Sequence, residues 1–404
     1  MRTAAEGVNE SLVSPIRRIR SGVRGETNIE VFFDLVYAFA VTQLSQYLVD
    51  HPTVEGALRT LLLLAMVWWV WLLTTGVTNW LNPNHRAVRL LLVSLMLVSL
   101  VMSASLPYAF GDRGLVVGGA YAGMQVGRSL FAAVALRGDR LRHNLQRILS
   151  WSLVSGALAV AGGLAEGHLR DVLWVCVIAI EFVGGMVGNY TPGLGRSPTR
   201  EWEIEGAHIA ERCQSFVMLA LGESIIVIGA GLAGRAALSP AELAGLVTAF
   251  VGAVAIWWVY FDRSAGEAAR VMAAAADPGR LGRNAYAFIH PVMIAGIIVI
   301  AAGDSGVLAN PLATTSIATT AMLFGGTMLF LAGHALFKLA VWQITSWSRL
   351  AAIVVLAALA FIGPLVPALV VGGFAAGVVA LVAVADYIQF MRHRQALGSP
   401  SASE

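Results

Sequence analysis

Apolar residues in this chain come in runs of about 20, the length that carries a helix across the hydrocarbon core of a bilayer. Twelve runs can be laid out: 30–49, 58–80, 87–109, 114–136, 145–165, 171–190, 208–232, 241–261, 285–303, 313–336, 349–367 and 370–391. Most connections are short, and the longest are 191–207 and 262–284. The pattern predicts an all-α polytopic membrane protein of about 12 transmembrane helices, since only helices or closed barrels satisfy the backbone in lipid. The first run has an inner order. Glu30, Asp34, Ala38, Thr42 and Ser45 recur at spacings of three and four, so on a helix they form one narrow, mostly polar stripe. The opposite surface is Phe, Val and Leu. Lipid cannot satisfy such a stripe, so it must face other protein or water.

Composition agrees. Hydrophobic residues make up 57% of the 404 residues and charged ones 13%, and the mean hydropathy is +0.73, which excludes a soluble globule. Residues 1–25 are Arg-rich and lack the apolar core of a secretory signal. The net charge of +3 and pI of 9.1 are the basic excess of cytoplasmic loops and do not imply nucleic-acid binding. With the N-terminus inside, cytoplasmic segments hold 22 of the 27 Lys and Arg residues. Arg59, Arg113, Arg170 and Arg235 fall in outer loops, and Arg128 falls within a span. Both termini are therefore expected in the cytoplasm, with an even number of spans between them.

The chain also repeats. Trp68-Trp69-Val70-Trp71 recurs as Trp257-Trp258-Val259-Tyr260, Gly127-Arg128 as Gly333-His334, and Glu181-Phe182 as Asp386-Tyr387. The order is kept and the offsets are similar. The expected layout is a basic tail (1–27), a six-helix repeat (28–190), a turn-rich linker (191–207), a second six-helix repeat of the same topology (208–391) and a tail (392–404). The repeats would be related by an axis along the membrane normal. The basic tail, from Ser14 to Arg24, is expected to meet anionic lipid headgroups.

Ionisable groups inside spans are costly unless paired or hydrated. The first half carries Asp34, Arg128 and Glu181, and the second Glu223, His334 and Asp386. Counting residues from the span ends puts Asp34, Arg128 and Glu181 at similar depth, so Arg128 is expected between the two carboxylates. That triad would be either neutralising glue or part of a flux site. Glu223 lies near mid-membrane, beside Gly222 and Ser224, on the same face as Arg212 but too far along the helix to pair with it. His290, His208 and His334 read as packing elements, since no His or Cys spacing supports a metal. No metal and no cofactor are expected. Cys176 and Cys213 form no disulfide framework. Trp80, Trp202, Trp342 and Trp347 flank spans as interfacial anchors do. Trp68–Trp71 and Trp257–Trp258 read as helix-packing clusters, and the glycines at 118, 119, 123, 127, 184, 185 and 188 as close-approach positions.

Glu30-Val-Phe-Phe-Asp34-Leu-Val-Tyr-Ala-Phe-Ala-Val-Thr-Gln43-Leu-Ser45 resembles the signature of the bacterial low temperature requirement protein A family. His208-Ile-Ala-Glu211-Arg212 followed by Leu221-Gly-Glu223-Ser224 resembles it too. The resemblance runs over residues 28–390 and implies a polytopic protein of the bacterial inner membrane, without fixing a molecular activity. Phe33-Asp34 and the apolar run after it are also similar to the first helix of six-span potassium channels marked by Phe-Ser-Asp. Here Phe33 replaces the serine, and Ser215 stands where the second half would carry the acid.

A transporter or channel follows as the leading expectation. Spans 1 and 7 would line its pathway, with Asp34, Thr42, Gln43, Ser45, Glu223 and Ser224 meeting a cation, proton or small solute. Glu30, Arg128, Glu181, Glu211, Arg212, His334 and Asp386 would form a buried charge network. The alternatives are a membrane-embedded enzyme or accessory factor acting on lipid or an apolar metabolite, and a structural protein supporting growth in the cold. No nucleophile–base pair is recognisable, which weighs against catalysis without removing it. The bilayer is the expected partner, together with a homo-oligomeric copy as an option.

Overall fold

The computed structural model describes residues 16–17, 26–233 and 237–398. Among them the regular structure is entirely helical, with only isolated β-bridges besides. The long helices are α1 (Asn28–Asp50), α2 (Val54–Trp80), α3 (Arg86–Ser105), α4 (Gly114–Ala135), α5 (Arg142–Leu164), α6 (Gly167–Val187), α7 (Gly206–Ala233), α8 (Pro240–Tyr260), α9 (His290–Ala309), α10 (Ile317–Trp342), α11 (Trp347–Leu359) and α12 (Ala368–Gly398). Eight of the helical stretches are long and apolar enough to cross a membrane: those of α2, α3, α5, α7, α8, α9, α10 and α12. The remainder owe their lower apolarity or length to identifiable features. α1 carries Glu30 and Asp34, α4 Gln125 and Arg128, α6 Arg170, Asp171 and Glu181, and α11 is 13 residues long.

The residues divide into two compact units. The first holds Met1–Gln43, Leu61–Ser215 and Met272–Arg283. Its helices approach closely where side chains vanish. A Cβ at Gly118 of α4 would lie 2.1 Å from the Ala159 carbonyl of α5, and one at Gly163 would lie 2.7 Å from the Gly114 carbonyl. Gly119, Gly123 and Gly127, by contrast, have open space beside them, so only part of the expected glycine face is a contact. Arg170 gathers backbone carbonyls from the turn before α4 and from the end of α5. It donates to Ala109 (2.8 Å), Gly111 (2.7 Å), Ala165 (3.0 Å) and Gly162 (3.2 Å). The α6 helix stops at Gly188, whose φ of +66° is a left-handed cap.

The second unit holds Leu44–Thr60, Phe216–Val271 and Asn284–Glu404. α9 and α10 pack backbone to backbone through Gly296, Gly303 and Gly326; a Cβ at Gly296 would meet the Phe330 nitrogen at 2.5 Å. His290 opens α9 after a π-helical stretch, Gly282–Ile289. Its Nδ1–H donates to the Ala285 carbonyl (3.0 Å), which leaves Nε2 to accept from the Tyr260 hydroxyl at 2.8 Å. This is the packing role expected of it.

Tryptophan placement corrects two expectations. Trp68 and Trp71 are buried as foreseen, but Trp257 and Trp258 are 39% and 46% exposed, while Tyr260 of the same turn is buried. A sequence repeat does not fix the rotation of a helix about its axis. Trp80 is no free interfacial anchor either: it is buried and donates to the Trp202 carbonyl at 2.7 Å.

Candidate functional site: two acids on α1 facing two bases on α7

The site begins at a helix start. Thr27 precedes α1, and its backbone N–H and hydroxyl both donate to Glu30 Oε2, at 3.0 and 2.7 Å. This is the reach-back of a capping box, and it fixes the Glu30 side chain. The other oxygen, Oε1, accepts from His208 Nε2 at 2.8 Å. His208 is oriented in turn by Asn79 of α2, whose amide donates to Nδ1 at 3.1 Å. The imidazole therefore carries a proton on Nε2, directed at Glu30. Asn79 also exchanges two hydrogen bonds with the backbone of Glu205, at 2.9 and 3.1 Å, and so ties α2 to the entry of α7.

One turn further along both helices the chemistry repeats. Arg212 Nη2 donates to Asp34 Oδ1 at 2.6 Å, and Trp71 Nε1 donates to the same oxygen at 2.7 Å. The guanidinium carbon lies 5.9 Å from the Trp71 ring centre and 6.0 Å from that of Phe33. Glu30, Asp34, His208 and Arg212 are all at most 2% exposed. Each pair is separated by 178 positions, so α1 and α7 run side by side in the same direction here. The arrangement is incomplete. Among the described residues, Asp34 Oδ2 and Arg212 Nε and Nη1 are buried without a hydrogen-bond partner. A buried polar atom left unmade costs about 1–3 kcal/mol.

The outer face of α1 is apolar as its periodicity requires, with Phe32, Leu35 and Val31 well exposed. Along the stripe, Thr42 is half-buried and donates to the Ala38 carbonyl at 3.2 Å, Gln43 is half-buried and Ser45 buried. Ser45, Glu223 and Ser224 belong to the second unit. Glu223 and Ser224 are 8% and 7% exposed, and Ser224 donates to the Leu221 carbonyl of its own helix. Nothing lies within 4 Å of a Cβ at Gly222, so that glycine makes no close helix approach. Glu211 is half-buried beside the paired Arg212.

The expected Arg128 triad is not what forms. Arg128 donates to the Val70 carbonyl (3.2 Å), to Thr74 (3.4 Å) and to Gln125. Gln125 then donates to Glu181 at 2.8 Å, and that carboxylate oxygen also accepts from Tyr121 (3.1 Å) and Ser155 (2.7 Å). Glu181 and Arg128 thus share an intermediary, and Asp34 takes Arg212 instead. Depth counting gives the height of a charge in the membrane but not which helix stands beside it. In the second unit His334 and Asp386 do meet, through Arg349. That side chain donates to His334 Nδ1 (2.8 Å) and to both Asp386 oxygens (3.0 and 2.6 Å). Sequence reasoning left out Arg349 and also Asp304, a carboxyl only 7% exposed in α9.

Of the basic stretch Ser14–Arg24 only Ile16 and Arg17 are described, and Arg17 pairs with Asp139 and Glu203; its other residues lie outside the described ones. No group of three or more potential metal-ligating side chains occurs among the described residues.

Fold and site together define a helical membrane protein with two acid–base rungs buried between neighbouring helices. Its sequence matches the model of the bacterial low temperature requirement A protein (LtrA) over residues 26–384, and the chain belongs to that family. It is 35% identical over 372 residues to an uncharacterized protein of Rhizobium meliloti (strain 1021), an alignment covering 91% of this chain and 90% of the other.

Proposed function

We propose that this is a transport protein of the bacterial inner membrane, passing a proton, cation or small polar solute past the Glu30–His208 and Asp34–Arg212 rungs. The observation that carries this reading is the unmet hydrogen-bonding capacity of a buried ion pair. A pair kept only to hold helices together gains from having every donor and acceptor filled. Here one carboxylate oxygen and two guanidinium nitrogens are held open in a fully buried setting, where a water, ion or solute would complete them. Glu30 and His208 one turn away supply a second hydrogen-bonded acid–imidazole pair within the same stack.

In this proposal twelve spans form two six-helix repeats, both termini are cytoplasmic, and Thr42, Gln43, Ser45, Glu223 and Ser224 also meet the solute. The parallel course of α1 and α7 supports an odd number of crossings between them, as the five spans 2–6 supply. Flux across liposomes holding the purified protein tests the reading, using proton- and cation-sensitive dyes with a panel of small solutes. Wild type is expected to pass at least one, with Asp34→Asn and Arg212→Gln each reducing it at least about tenfold, as loss of a charge-assisted contact implies. No flux from folded wild-type protein would overturn it, as would wild-type flux from folded Asp34→Asn.

A further inference from the structure

Within the second unit, Asp304 of α9 lines a small cavity of about 20 Å3. Thr248 of α8, Thr327 of α10 and a wall of Gly252, Gly372 and Ala376 line it as well. One to two tens of cubic ångströms is room for a single water-sized guest. Among the described residues no donor reaches the Asp304 carboxyl, and no other ionisable group lines the cavity. The two threonines sharpen this. Thr248 donates its hydroxyl proton to the Ala244 carbonyl (2.8 Å), and Thr327 to the Leu323 carbonyl (2.7 Å), both within their own helices. Their oxygens are left as acceptors. The lining therefore offers an acid and two hydroxyl oxygens but no side-chain donor and no positive charge.

We infer that Asp304, Thr248 and Thr327 form a binding site for one small monovalent cation of sodium size. An anion would find nothing to bind. A water is the other guest of this size, and its binding would not depend on sodium. A divalent ion would lack the second carboxylate that its charge calls for. One carboxylate neutralises one charge, and hard oxygen ligands suit an alkali cation over a softer metal. The glycines and alanine opposite keep the space from being filled by side chains. The site stands apart from the transport reading, because it predicts binding whether or not anything crosses the membrane.

The test is direct binding of sodium to the full-length protein in detergent, with no flux involved. Thermal unfolding is followed at constant ionic strength while NaCl replaces N-methyl-D-glucamine chloride. In wild type the midpoint is expected to rise with sodium and to saturate, as selective binding to the folded state demands. Asp304→Asn is expected to unfold at a midpoint independent of sodium. Thr327→Val keeps the carboxylate and removes one ligand oxygen, so it should shift half-saturation by about tenfold, the worth of one such contact. Should Asp304→Asn not fold, the Thr327→Val shift and radioactive sodium binding to wild type decide the matter. A sodium-independent wild type overturns the inference, and so does a folded Asp304→Asn that responds like wild type.

Discussion

Arg212→Met removes the cation from the second rung while roughly keeping the side chain's length. Asp34 then retains only the Trp71 N–H, in a site where it is 2% exposed. Breaking a buried pair from one side costs about 3–5 kcal/mol. Some of that is returned, because the two guanidinium nitrogens that lack partners disappear with the arginine. At about 1 kcal/mol each, their removal brings the net loss to about 1–3 kcal/mol. Asp34→Asn strands the guanidinium instead, and its loss should be similar. The double variant Asp34→Asn/Arg212→Met carries neither charge, so it should fall within about 1 kcal/mol of wild type. The coupling between the sites is then about 2–6 kcal/mol, well above the limit for independent positions. Unfolding in mixed micelles, read by tryptophan fluorescence on all four proteins, gives the cycle. Additive single losses would refute the argument, since the rung would then hold no mutual free energy.

Glycine contacts give a paired prediction: Gly118→Ala should destabilise by about 1–3 kcal/mol, because its Cβ would press a backbone carbonyl that cannot yield. Gly119→Ala should stay within about 0.5 kcal/mol, there being nothing beside it, and thermal midpoints of the two variants check this. Asp277, in a connecting segment, supplies a pH dependence. Desolvation raises its carboxyl, but the Arg280 N–H, the Thr199 hydroxyl and the charges of Arg200 and Arg280 outweigh it and hold the carboxyl below its usual 3.8. A depressed folded-state value means stabilisation present above the unfolded value and lost as pH falls through the folded one. The gap in thermal midpoint between wild type and Asp277→Asn should therefore be constant from pH 5 upward and close below about pH 3.8; a gap unchanged in acid would refute it.

The polar stripe of α1 was legible in the sequence because it is a matter of period alone: Glu30 and Asp34 point inward, and Phe32 and Leu35 outward. The partners were not, since neighbouring helices are set by packing between segments far apart in the chain. A usable signal was present nonetheless. Two acids spaced by four at 30 and 34 match two bases spaced by four at 208 and 212, and two rungs in register are harder to reach by chance than one. Asp304 was missed for a local reason. A span ended at residue 303 puts the acid in a loop, whereas the helix continues to Ala309 through Gly303 and Asp304. Arg349 was lost the same way, sitting at the start of a span and read as loop charge, although it is fully buried.

The rungs join residues 178 positions apart, and ribosomes do not make both ends at once. At about 5–20 residues per second, some 10–35 seconds pass between the emergence of Glu30 and Asp34 and that of His208 and Arg212. Throughout that interval the first helix has two acids and no bases to meet them. Insertion machinery must shelter it, or it must linger in the headgroup layer, until the seventh helix arrives. Biogenesis of this chain is thus ordered by chemistry as well as by length, and a truncation ending before residue 208 should be an orphan marked for proteolysis.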